Sequence, residues 1–263
     1  MTKMPPPPDR SLLVRVRERF AHDNELCDKL THLLSHEMAT LRTLQDSLDQ
    51  LADPSCDCRP AEWEVLKQQV DAQGILLAAK VEALLMWHPT YQGNGTAEQL
   101  IPTAQPLTWA YSLVHPAYPD CSIQLAQDDQ VAPARIPAYA VQAVTMLLEN
   151  AAKFGRADGR GNEPYTVHAS SDTSDGQVTF TVCDYGQGMD PASCVLACLP
   201  GWQGEADYMT RRQGGLGMGL YITEQIARHH HGALELRSEQ GQGTMAMLSL
   251  PVAGIDESSH RSG

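Results

Sequence analysis

"LLENAAKFG", residues 147–155, sets an amide at Asn150 and an ammonium at Lys153 three positions apart, so both lie on one face of a helix. An amide oxygen can ligate a magnesium ion, and a lysine one turn away can meet the phosphate oxygens such an ion bridges. Alone, the pair is an ordinary solvated helix face. Two stretches downstream change its meaning. "CDYGQGMD" (183–190) places Asp184 at a strand end, followed by Gly186 and Gly188, which let backbone approach a flat ligand. A carboxylate there can accept a hydrogen bond from an exocyclic amine such as that of adenine. "GGLGMGLYIT" (214–223) leads Gly215, Gly217 and Gly219 into a helix N-terminus, where free N–H groups and the helix dipole favour an anion. The triplet matches neither a Walker loop nor G-x-G-x-x-G.

The surrounding pattern predicts a mixed α/β domain over 100–252. A short helix is expected near 107–114 and a strand at "CSIQLAQ" (121–127). A helix over 139–154 follows, then strands "YTVHASS" (165–171) and "QVTFTVCDY" (177–185). A helix "GLYITEQIARHHH" (219–231) precedes closing strands "ALELRSEQ" (233–240) and "TMAMLSLP" (244–251).

Upstream, residues 1–10 form a proline-rich leader expected to be mobile, and 11–88 read as a helical hairpin. From Ser11 to Leu51 there is neither proline nor glycine, so one helix of roughly 40 residues, about 60 Å long, is expected. Leu30, Leu34, Leu41, Leu44, Leu48 and Leu51 form a heptad-like seam broken at Glu37. "ADPSCDCRP" ends that helix, and a second from Pro60 to Trp87 carries Trp63, Leu66, Val70, Leu77, Val81 and Leu84 on its apolar face. A hairpin alone half-covers these stripes, so a homodimeric four-helix bundle is expected. Residues 89–99 read as a linker and 253–263 as a loose tail.

The bulk numbers bound the function. Of 263 residues, 42% are hydrophobic and 19% charged, enough for packed cores. The formal net charge of −13 argues against nonspecific binding to nucleic acid or an anionic membrane. No stretch reads as a signal peptide or a membrane span, which predicts a cytoplasmic protein without membrane insertion. Seven scattered cysteines then read as free thiols. Cys56/Cys58, Cys194/Cys198 and His229–His231 are better read as packing or chance than as metal sites.

In this order and spacing, the stretches resemble the histidine-kinase group of the GHKL ATPases. "LLENAAKFG" is similar to the family's N box, "DYGQGM" and "GGLGMGLYIT" to its two glycine boxes, and "HHGALELRSEQGQGTMAMLSLP" to its closing segment. The resemblance covers about residues 100–252. It implies an α+β chain, a helical hairpin followed by an α/β sandwich, and ATP and Mg2+ as cofactors. By it, Asn150 would hold magnesium, Lys153 a phosphate, and Phe154 would pack near adenine. Asp184 would read the adenine amine, Gly186, Gly188, Gly215, Gly217 and Gly219 would shape a flexible lid, and Thr244 would lie near the purine.

The same family carries its phosphoaccepting histidine in Ser-His-Glu-x-x-Thr, which "SHEMAT" (35–40) matches. His36 would then be the acceptor, Glu37 its proton acceptor, and Thr40 would position water for dephosphorylating a partner. Ala39 and Leu41 replace the family's arginine and proline, so the helix should lack its bend. Met146 replaces an asparagine common in these kinases and the glutamate of gyrase-like hydrolases. No phenylalanine box is visible; Trp202 or Tyr208 would substitute, while Arg211 and Arg212 read as surface arginines. The implied activity is autophosphorylation of His36 followed by transfer to an aspartate of a response-regulator receiver domain. The stimulus would enter through the leader, the bundle or a separate sensor protein. Two other readings stay open: a phosphotransfer or adaptor dimer with a degenerate ATP domain, and a GHKL kinase acting on a partner protein.

Overall fold

The computed structural model describes residues 10–19, 21, 23–51, 60–87, 99–127, 134–156, 164–203 and 216–253. Arg10 of the expected leader opens the first helix, while residues 1–9, the turn at 52–59 with Cys56 and Cys58, His88, residues 89–98 of the expected linker and the tail from 254 lie outside the described residues. So do Tyr208, Arg211, Arg212 and Gly215.

The helix expected to run unbroken from Ser11 to Leu51 is two helices, α1 (Arg10–Arg19) and α2 (Asn24–Leu51). Asp23 explains the restart. Its carboxylate accepts the N–H of Leu26 at 3.0 Å, satisfying one of the orphan donors of a helix start. The helix α3 (Pro60–Trp87) returns antiparallel to α2. Trp63, near its start, donates its indole N–H to the carbonyl of Leu48 at 3.0 Å, an acceptor left without an intrahelical partner near the end of α2. At the other end Arg15 grips Glu82 with both guanidinium arms. Both side chains are about half exposed, so this pair contributes ~0–1 kcal/mol.

Leu30, Leu34, Leu41 and Leu48 of α2 are buried, as are Val70, Leu77, Val81 and Leu84 of α3. Leu44 and Leu66, expected on the same stripes, remain 40% and 42% exposed within one chain. Gly74 is the weak point of α3, yet nothing lies within 4 Å of where a Cβ would stand. Gly74→Ala is therefore expected to stabilise the chain by about 1 kcal/mol and to raise the melting temperature by about 3 °C in a thermal melt. A lowered melting temperature would mean that something outside the described residues fills that space.

The described residues between 99 and 253 build the α/β sandwich. Strands β1 (Leu100–Pro102) and β3 (Arg135–Pro137) form a small antiparallel pair. The main sheet has the order β2 (Cys121–Gln127), β4 (Tyr165–Ser174), β5 (Gln177–Cys183), β7 (Gly243–Pro251), β6 (Ala233–Glu239). Only β2 and β4 run parallel; the other neighbours are antiparallel. Helices α4 (Gln105–Val114), α5 (Ala140–Phe154) and α7 (Gly219–His229) pack on one face. Strict alternation makes this possible: Val178, Phe180 and Val182 of β5 are buried, while Thr179, Thr181 and Cys183 point the other way. They meet Leu147 and Leu148 of α5 and Ile222 and Ile226 of α7 within one core, each worth roughly 1.5–3 kcal/mol of burial.

Among the described residues four elements were not expected from the sequence: β1, β3, α6 (Pro191–Leu196) and a 3-10 turn at His115–Ala117. The supposed tail also begins later, because Ala253 still donates its N–H to the carbonyl of Arg135 at 2.7 Å. Among the described residues, no helix is long and apolar enough to cross a membrane.

Candidate functional site

Strand β5 stops at Cys183, and Asp184 follows it in a buried position. Its backbone N–H donates to the carbonyl of Thr244 at 2.9 Å, holding it to the start of β7. One carboxylate oxygen, Oδ1, accepts the N–H of Gly186 at 2.9 Å and that of Thr244 at 3.3 Å. Burial pushes this carboxyl above the usual carboxylate range, and the two N–H donors pull part of the way back. One oxygen is thus committed to the backbone, leaving the other available to a ligand.

Gly186 is required by close approach. A Cβ there would stand 1.8 Å from the carbonyl oxygen of Phe154, so the strand end can nest on the end of α5 only without a side chain. Gly188, with φ +61°, lies against the carbonyl of Glu239. The Thr244 hydroxyl meets Ser238 Oγ at 2.8 Å, closing the same corner.

Gly243 offers a sharp test of this corner. With φ +94°, a Cβ would fall 2.1 Å from the carbonyl oxygen of Asp184; at Gly241, φ +81°, it would meet nothing within 4 Å. Gly241→Ala should cost only the left-handed strain, about 1–2 kcal/mol. Gly243→Ala adds a backbone collision beneath Asp184 and should cost about 3 kcal/mol or more, lowering the melting temperature by about 10 °C. Equal melting temperatures for the two variants would remove the collision from the account.

The other half of the site is the end of α5 against the start of α7. The Asn150 amide lies beside Gly219, whose Cβ would be 3.1 Å from Nδ2 and 3.3 Å from Oδ1. The first helical bond of α7 runs from Ile222 N–H to the carbonyl of Met218, so the amides before Ile222 have no partner within the helix. Gly217, φ +63°, accepts from the N–H of Gly201 at 3.0 Å, joining α7 to the turn after α6. An amide oxygen beside unpartnered amides suits a magnesium ion that takes one protein ligand and fills its shell with water and phosphate oxygens. The His230 ring stacks on Tyr139, with centroids 6.2 Å apart.

Lys153 extends past the ring of Phe154, with Nζ 5.6 Å from its centroid. Phe154 itself is partly exposed. Burial, then the like charge of Lys80, pulls the Lys153 ammonium down to about 8, against the opposing pull of Glu149 and Glu37. Met146, where the family carries asparagine or glutamate, is buried in the core.

Sequence reasoning missed Lys80 and Tyr118. Lys80 of α3 pairs with Glu149 of α5 at 2.6 Å, and the Tyr118 hydroxyl donates to the same oxygen at 3.3 Å. Burial and Glu149 raise the Tyr118 phenol, and the charge of Glu37 is felt there too. A signal existed: Lys80 is a cation within the apolar run "ILLAAKVEALLMW", and a buried cation needs a partner.

His36 is exposed on α2, and its carbonyl accepts the Thr40 hydroxyl at 3.0 Å. Glu37, one residue on, is half-buried, and its charge is felt at Lys153. Lower on α2, the Lys29 stem lies 3.3 Å from where a Cβ of Gly201 would stand. The structure therefore brings together Asp184, Gly186, Gly188, Gly243 and Thr244 at one corner, and Asn150, Lys153, Gly217 and Gly219 at the next. It also turns α2 toward them.

Comparison with known proteins agrees with this geometry. Residues 136–254 match the family model described as histidine kinase-, DNA gyrase B-, and HSP90-like ATPase. The chain is 28% identical over 235 residues to the sensor histidine kinase MtrB of Mycobacterium tuberculosis (strain ATCC 25618 / H37Rv), covering 85% of this chain and 39% of that protein. It is 25% identical over 231 residues to the sensor histidine kinase ZraS of Klebsiella oxytoca, covering 86% and 46%. The chain thus spans less than half the length of these curated relatives. Among solved structures, full-length ShkA in complex with AMPPNP shares the fold, with a TM-score of 0.53 at 19% identity over 86% of this chain and 46% of that one.

Proposed function

We propose, from the premise that residues 136–254 belong to the histidine kinase-like ATPases and that the chain is organised as a histidine-kinase catalytic core, that it phosphorylates its own His36 from Mg-ATP and passes the phosphoryl group to an aspartate of a response-regulator receiver domain. The observation that supports this reading is the nearness of α2 to the ATP site: the charge of Glu37, next to His36, is felt at Lys153, and Lys29 lies against Gly201. The uncovered Leu44 and Leu66 support pairing with a second copy. The five described cysteines, all free thiols, support a cytoplasmic setting.

In this reading Asp184 accepts the purine amine with its uncommitted oxygen, and Thr244 closes the same corner. Asn150 holds the magnesium ion, which when bound neutralises charge on the β- and γ-phosphates. Lys153 meets a phosphate oxygen, and the start of α7 presents its free amides. An unprotonated imidazole nitrogen of His36 attacks the γ-phosphorus. The new P–N bond forms as the bond to the bridging oxygen breaks, and ADP leaves. Glu37 takes the proton from the other ring nitrogen. The phosphoryl group later moves to the partner aspartate: the P–N bond breaks as a carboxylate oxygen bonds phosphorus, and the proton returned by Glu37 restores neutral imidazole. Met146 supplies no base for water at its position, which supports transfer over hydrolysis. Thr40 donates its hydroxyl to the His36 carbonyl, which leaves its oxygen able to accept from a water.

The test is chemical. Purified chain incubated with γ-labelled Mg-ATP should acquire label that is acid-labile and base-stable, the signature of a phosphoramidate. Bound nucleotide without such label would defeat the reading in favour of the adaptor. A second expected result concerns pH. With Lys153 held at about 8, its charge is present below that pH and lost above it. Nucleotide affinity should therefore fall about tenfold from pH 7 to pH 9, and Lys153→Arg should flatten the profile. A flat wild-type profile would take Lys153 out of the phosphate contact.

A further inference from the structure

The pair formed by Lys80 and Glu149 is more deeply buried than stability requires. The two side chains are 13% and 6% exposed, and Tyr118 adds a hydroxyl donor to Glu149 Oε1. Removing such charges from water costs several kcal/mol, and apolar residues of similar volume often serve a core equally well. What a buried pair does well is fix one register between two surfaces. Here the surfaces are the hairpin, through α3, and the nucleotide-binding helix α5, through the residue directly before Asn150.

A second contact independently fixes α2. Lys29 packs on Gly201, whose N–H binds Gly217 of the glycine segment. Seven residues, two helical turns, separate Lys29 from His36, so both lie on nearly the same face of α2, about 10 Å apart along its axis. That face is therefore directed toward the glycine-lined end of the ATP domain of the same chain. Glu37 of α2, Lys153 and Glu149 of α5 and Lys80 of α3 meet at this junction, where Lys153 feels the charge of the other three.

We propose that Lys80 and Glu149 are a positioning pair for phosphoryl transfer within one chain. They dock the end of α5 carrying Asn150 and Lys153 on the edge of the hairpin carrying His36, so that each ATP domain serves the histidine of its own chain. Transfer to a partner's histidine would require giving up both the buried pair and the Lys29–Gly201 contact. This inference rests on the kinase reading above.

Two measurements on the full chain test it. Lys80→Glu and Glu149→Lys should each lower the maximal rate of His36 labelling, read at saturating Mg-ATP, about tenfold or more. The double charge swap should recover most of the rate, and thermal melts of all three variants separate the roles: a rate that merely follows the melting temperature would overturn the positioning pair. Unchanged or faster labelling in the single variants would overturn the proposal. The second measurement does not depend on those variants folding: His36→Gln and Asn150→Ala chains of distinguishable size are mixed with labelled Mg-ATP. Transfer within one chain leaves both unlabelled, whereas label on the Asn150→Ala chain overturns it. The wild-type chain separates the two failures. Absence of label there defeats the kinase reading, and with it this inference; normal wild-type label with either contrary result defeats the positioning pair alone.

Discussion

His36→Gln should abolish covalent labelling by γ-labelled ATP while leaving the fold and nucleotide binding intact. The separation is expected because of where the residue sits. His36 is exposed on α2, and its link to the helix is a carbonyl that accepts the Thr40 hydroxyl, which glutamine preserves. Glutamine is also a good helix former, so the change in stability should stay within about 0.5 kcal/mol. Its amide nitrogen has no nucleophilic lone pair, and no P–N bond can form there. His32, four residues earlier and also exposed, is the control, since His32→Gln should retain full label. Autoradiography of the two variants beside wild type, with thermal melts of each, reads the result. Label surviving in His36→Gln would move the acceptor elsewhere and leave "SHEMAT" as a polar interruption of a leucine seam.

The parts of this molecule that were legible in the sequence are those where one residue type is physically forced. Gly186 must lack a side chain because the carbonyl of Phe154 occupies the space, and a requirement of that kind leaves its mark as a glycine at a fixed place. The strands of the main sheet announced themselves by alternation, with Val178, Phe180 and Val182 inward and the threonines between them outward. Short elements gave no such signal: β1 and β3 have three residues each, too few for a period to show. The break between α1 and α2 carried a signal of another kind, Asp23 followed by Asn24 and Glu25, a capped helix start. It was masked by an apolar pattern that runs through it without proline or glycine. The Lys80–Glu149 pair lay beyond reach for a different reason. Periodicity tells which face of a helix is apolar, but not which residue 69 positions away will meet Lys80.

Asp184→Asn should lower nucleotide affinity about 100-fold without weakening the fold. Burial already raises the Asp184 carboxyl, so the folded chain carries a cost for keeping it ionised. An amide of the same shape removes that cost. The N–H groups of Gly186 and Thr244 both point at Oδ1, so they should select the rotamer that places the amide oxygen there. Its NH2 must then occupy the position of the uncommitted carboxylate oxygen. In the proposed complex this sets a donor against the purine amine, replacing a charge-assisted hydrogen bond with a clash of two donors. The melting temperature of the free variant should equal or exceed that of wild type, more so as pH rises, since the wild-type carboxylate becomes more fully ionised above its raised pKa. Adding saturating Mg-ATP should raise the melting temperature of wild type and not that of the variant. Titration with a fluorescent ATP analogue, run beside these melts, separates affinity from stability. Undiminished binding in a folded Asp184→Asn chain would take the purine away from this corner, even if His36 labelling had succeeded.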